Sequence, residues 1–167
     1  MEGLFFTEDF IFVQMSLLVD TANRDTLHTL LLKLTADTKP LWGKMTPQQM
    51  IEHLIENVQY TNGTLIPICR RSPEEALEAK QRGLNPDVQI PKNLFLGDLP
   101  AEYAYLNLPA SVTRLMADLE LFDRYFKTNA MAIHGGFGPM DYNEWIIWHS
   151  KHFTHHFRQF GLIEGDI

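Results

Sequence analysis

The chain has 167 residues, enough for one compact domain and too few for two comfortable ones. Hydrophobic residues make up 45% and charged residues 21%, with a net charge of −7, which excludes the basic face that nucleic-acid binding needs. A single cysteine, Cys69, excludes an internal disulfide framework and any Cys-rich zinc motif.

Residues 1–20 are apolar and rich in Phe. They carry Glu2, Glu8 and Asp9, with no basic residue before Arg24. A secretory signal needs a positive start and an unbroken apolar run, so this segment predicts a cytoplasmic protein with an N-terminal arm over its body. The same apolar arm suits a homodimer contact. No run reaches the roughly 18 apolar residues of a membrane span, so no membrane partner is expected.

The first helix is expected from 21–24 to about Asp37, with Leu27, Leu30, Leu31 and Leu34 at helical spacing. The second opens with Thr46 as N-cap, Pro47 in the first turn and Gln49 closing a capping box. Met50, Leu54 and Val58 then form its apolar stripe, which ends at Asn62-Gly63. Residues 64–108 form a long crossover and a candidate lid. Within it, Ser72 and Glu75 start a short helix to about Arg82, with Gly83 as its C-cap.

A third long helix is expected from 110–111 until 127–129, carrying Leu115, Leu119, Phe122 and Phe126 on one face. A glycine-rich joint follows at 134–139. The fourth starts at Asp141, with Glu144 completing another capping box, and stops at Gly161. The expected fold is an all-α four-helix bundle forming a single domain over 1–167.

The composition holds one oddity: seven histidines, four of them between His149 and His156. At about 100° per residue, His152 and His156 lie roughly 40° apart, one turn from each other on one stripe. His149 lies about 60° from His152, and His155 about 100° from His156. Imidazoles at i, i+4 can converge on one metal ion, although Phe153 stands where a metalloprotease helix carries Glu. His53, at the border of the second helix's apolar stripe, can supply a third ligand from a facing helix. Alone, it would equally suit a satisfied boundary residue. Four histidines in a short run also suit a solvated face, but Trp145, Trp148, Phe157 and Phe160 argue for burial. Three neutral imidazoles with an open fourth position make a catalytic-type site for zinc or a similar divalent ion.

Three segments carry a family resemblance: LWGKMTPQQMIEHL at 41–54, HGGFGPMDYNEW at 134–145, and H-x-x-H-H-x-x-Q at 152–159. With them the chain resembles the DinB/YfiT-like metalloenzyme superfamily over roughly residues 22–163. The likeness is greatest to a branch with W-G-K-M before the second helix. It implies a bundle in up-down-down-up order, with a long link between the second and third helices. It also implies a divalent metal, zinc or nickel, held by His53, His152 and His156. Relatives of this kind are thiol-dependent transferases and isomerases, or hydrolases. Gly135 stands where the branch commonly has Pro, which leaves His134 without an assigned role.

The function expected is metal-dependent transfer of a small thiol to an electrophilic substrate, or hydrolysis of a small molecule. His149 is the candidate proton carrier, since its unperturbed pKa lies near 6.5. Glu56, one turn beyond His53, could orient that imidazole. Glu56 and Glu52 equally suit a solvated helix face. Cys69, without a local base, reads as an inert thiol. The alternative is a non-catalytic metal-binding bundle with a stress or regulatory role.

Overall fold

A computed structural model describes residues 18–94 and 98–165 of the chain. Most of the expected N-terminal arm, with its dimer contact, therefore lies outside the described residues. Among the described residues there are five helices, α1 (Arg24–Leu31), α2 (Pro47–Gln59), α3 (Pro73–Leu84), α4 (Leu108–Tyr125) and α5 (Tyr142–Gln159). Between α4 and α5 lies a hairpin of β1 (Ala132–His134) and β2 (Gly138–Met140). The fold is thus mostly helical, with a small sheet that the helical pattern alone did not announce.

Capping chemistry explains the firmest boundaries. Thr46 and Gln49 form a reciprocal capping box at α2, Ser72 and Glu75 at α3, and Asp141 and Glu144 at α5. Each satisfies amides that a helix start leaves orphaned, worth about 1 kcal/mol per cap. Asn107 caps α4 by accepting from the Ala110 amide, so that helix begins two residues earlier than expected. Pro109 sits in its first turn, where a missing N–H costs nothing.

The first helix stops at Leu31 rather than Asp37. The amides of Lys33 and Leu34 bond back three residues, to the carbonyls of Leu30 and Leu31. Thr35 and Thr38 then close their own turn, with the Thr35 amide donating to Thr38 Oγ1 at 2.9 Å. Short hydroxyl side chains compete with the helical ladder in this way. Leu34 is still buried, so its apolar period reports burial and not helix.

Gly83 is not a C-cap. Helix α3 continues to Leu84 and is capped by extended Asn85. The glycine is required by packing, because a Cβ there would collide with the ring of Phe137 in the hairpin turn. The hairpin pairs Ala132 with Met140 and His134 with Gly138. His134 Nδ1 accepts from the amides of Gly136 and Phe137 at 3.0 and 3.1 Å, and its ring stacks on Phe137 with centroids 4.0 Å apart.

Helix α2 packs along α4, α1 also lies on α4, and α3 covers α5 and β2. Leu54, Leu115, Leu119, Phe122, Phe153 and Phe157 are buried in the core they share. The described part of segment 85–107 has no helix or strand but is tied down. Glu52 accepts the amides of Ala104 and Tyr105, and Gln48 donates to the Tyr105 carbonyl. Glu52 is thus an anchor for the crossover rather than part of a solvated face. No helix among the described residues is long and apolar enough to cross a membrane.

Candidate metal centre

Helix α5 carries the largest share of the site. Its buried positions include His149, His152 and His156 together with Trp145, Phe153 and Phe157. A buried helix this rich in imidazole must find partners for their nitrogens. Helix α2 offers His53 from the edge of its own buried stripe, Met50, Ile51, Leu54, Ile55 and Val58.

Three imidazoles meet at their Nε2 atoms. His53 Nε2 lies 3.0 Å from His152 Nε2, which lies 3.1 Å from His156 Nε2. The donor atoms of all three lie within 4.8 Å of one another. The i, i+4 spacing brings His152 and His156 together, and α2 brings His53, as expected for this trio.

Hydrogen bonding decides the tautomer of one ring. Gln159 Nε2 donates to the Trp42 carbonyl at 3.0 Å, which turns its Oε1 towards His156. His156 Nδ1 lies 2.8 Å from that oxygen and donates to it, leaving a lone pair on Nε2. An Nε2 that donates cannot also accept, so three facing Nε2 atoms cannot satisfy one another with their own protons. A divalent cation satisfies all three at once. Zinc–nitrogen bonds of about 2.0–2.1 Å in a tetrahedral sphere set nitrogens roughly 3.3–3.4 Å apart, close to the 3.0 and 3.1 Å of the His53–His152 and His152–His156 pairs.

Electrostatics point the same way. Burial, followed by the neighbouring His155, lowers the His53 pKa to about 4. Burial and then His53 lower that of His156 to about 3. His152 is also held well below 6.5, by burial first and then by its imidazole neighbours. All three are therefore neutral at pH 7, the form in which histidine binds a metal.

The supporting residues explain the W-G-K-M segment. The Leu41 amide donates to the Gln159 carbonyl at 2.7 Å, beside the Gln159–Trp42 bond. The backbone of residues 41–42 thereby clips to the end of α5 and holds the glutamine that orients His156. Gly43 sits at φ +80, and a Cβ there would lie 2.8 Å from Gln159 Nε2. Gln159 has the role that sequence reasoning left unassigned. Its signal was its position three residues after His156, on the same helix face.

Other candidates fall elsewhere. His149 is wholly buried, and its hydrogen bond runs to Thr61 Oγ1 at 3.3 Å rather than to a ligand imidazole. Since the Thr61 hydroxyl donates to the Val58 carbonyl, its oxygen accepts from His149 Nε2. The ring stacks on Trp145 and meets Phe122 edge-on. His155 lies beside His156 and against Trp42, outside the three-nitrogen cluster. His134 belongs to the hairpin. Glu56 is exposed, and half-buried Cys69 is not part of the cluster.

Neither a protein-family model, nor a curated protein, nor a solved structure matches this chain. Its own geometry therefore carries the functional argument.

Proposed function

We propose that this chain is a divalent-metal-dependent enzyme built on a DinB-like bundle in up-down-down-up order. Its reaction is transfer of a small thiol to an electrophilic substrate, with hydrolysis of a small molecule as the variant in which water replaces the thiol. The observation that carries this reading is the meeting of three neutral imidazoles, with His152 Nε2 3.0 and 3.1 Å from those of His53 and His156 and all three ligand atoms within 4.8 Å. His53, His152 and His156 would hold the ion, and a three-imidazole set suits zinc or nickel. A bound divalent ion supplies Lewis-acid chemistry, lowering the pKa of a thiol or water at an open position.

The chain's own residues do the rest. Gln159 orients His156, and His53, only half-buried, marks the side from which a small molecule arrives. Segment 86–92 roofs a cavity of about 230 Å³ that His155 also lines, beside His156. That cavity offers room for a small molecule one residue away from the cluster, which suits the enzyme reading. With Cys69 outside the cluster, the reacting thiol comes from solution.

Metal analysis of protein purified without added metal tests the reading, run beside the His53→Ala/His152→Ala double variant. The parent should carry about one divalent ion per chain and the variant none; equal content in both overturns the site. Metal-loaded protein should then accelerate attack of a small thiol on a model electrophile. A panel of thiols and esters giving no rate above the metal-free protein turns the reading to a non-catalytic metal-binding bundle.

A further inference from the structure

The cavity under segment 86–92 has a chemistry of its own. Among the described residues, Lys92, Lys151 and Arg158 line it with one carboxylate, Asp87. Trp42 and His155 complete the wall nearest the imidazole cluster. Lys92 Nζ sits 4.7 Å from the centre of the Trp42 ring, and Lys151 Nζ is held by the carbonyls of Gly83 and Asn85.

Two residues of this wall, Trp42 and Arg158, also carry donors (Nε1 and Nε) that are buried without a hydrogen-bond partner among the described residues, although neither atom is itself exposed to the cavity. Three cations along a partly enclosed cleft, Lys151 tethered by two carbonyls and Lys92 on an exposed loop, focus a positive field and favour an anion rich in acceptor oxygens. The volume, about 230 Å³, lies just under the roughly 300–1,000 Å³ of typical ligand pockets and suits a small molecule.

The cavity also adjoins the proposed reaction centre. His155 lies 5.7 Å ring to ring from Trp42 and 5.1 Å from His156. We propose that this cavity binds a carboxylate, or a chemically equivalent oxyanion, of a small molecule whose other end reaches the three-imidazole site. The assignment to substrate rests on the metal-enzyme reading; the anion site itself does not.

The test follows the Trp42 indole N–H by NMR, assigned with a Trp42→Phe variant, as purified protein is titrated with succinate or with uncharged succinamide. Succinate should shift that signal saturably and succinamide should leave it in place. Arg158→Gln should weaken succinate about tenfold, as loss of a charged hydrogen-bond donor does. Lys92→Ala, on an exposed loop where folding is not at stake, should weaken it in the same direction. Equal responses to both probes, or a succinate response that neither variant alters, overturn the proposal. Divalent-metal content separates the two readings. A parent without any divalent metal that still binds succinate removes the metal centre and leaves the anion site. A metal-loaded parent that ignores succinate does the reverse.

Discussion

Two groups of buried histidines share this molecule and differ in one respect. His149 and His134 are as strongly perturbed as the cluster, with burial lowering their pKa values to about 3 and about 4. Yet each has a local partner, Thr61 for one and the hairpin amides for the other. In the trio, by contrast, nitrogens face nitrogens. Burial and lowered pKa therefore do not separate a structural imidazole from a candidate ligand here. What separates them is where the Nε2 atoms face: those of the trio converge on one another, whereas His149 Nε2 turns away to Thr61 and His134 is held in the hairpin.

The contrast can be broken most severely at the central ligand. His152→Ala leaves two imidazoles and should abolish stoichiometric zinc, read by metal analysis after gel filtration, while a folded circular-dichroism spectrum persists. Retained zinc in that variant would place the ion elsewhere.

His149→Ala should do the opposite. Truncating a fully buried ring that packs on Phe122 and Trp145 should cost about 2–4 kcal/mol in urea unfolding, by analogy with other large-to-small core changes. Zinc content of the folded variant should stay at the parent level. If zinc is lost instead, His149 belongs with the ligands.

Gln159→Leu removes the acceptor for His156 Nδ1 and keeps most of the side-chain volume. Loss of such an orienting partner typically weakens metal binding by about 10–100-fold, measurable by competition with a zinc chelator. Unchanged affinity would mean that the ring is held by packing alone.

The smallest effect is in pH. His149 titrates near 6.5 when unfolded and at about 3 when folded, so below pH 6.5 the unfolded chain takes up a proton that the native one refuses. Its contribution to stability is therefore complete above pH 6.5 and is lost progressively as pH falls towards 3. Between pH 6.5 and 5.5 the metal-free parent should lose about 1 kcal/mol more than His149→Phe in urea unfolding. Parallel losses would show that this imidazole is accessible to protons in the folded state.

Much of this was legible in the sequence wherever local chemistry decided the outcome. The boxes at Thr46, Ser72 and Asp141 placed three helix starts, and a 3.6-residue period placed His152 and His156 on one face. Long-range packing was not legible. Gly83 looked like a helix end because nothing in its neighbourhood announces Phe137, more than fifty positions later. The hairpin was missed because three-residue strands around glycines carry too little alternation to read. Glu52 looked solvated, and its backbone partners, Ala104 and Tyr105, come from a loop without periodicity. His149 shared the stripe arithmetic of the ligands but meets Thr61, a residue from just beyond α2 that helical spacing on α5 cannot reveal.

Gly43 ties two distant stretches of sequence into one decision. Its left-handed backbone disfavours any side chain, and the first atom of one would run into the amide of Gln159. A side chain at position 43 would therefore be strained whatever stands at 159, and it would also push the Gln159 amide from its place. Moving that amide loosens the hold on His156. The glycine before α2 is in effect part of the inheritance of an imidazole at the other end of the molecule.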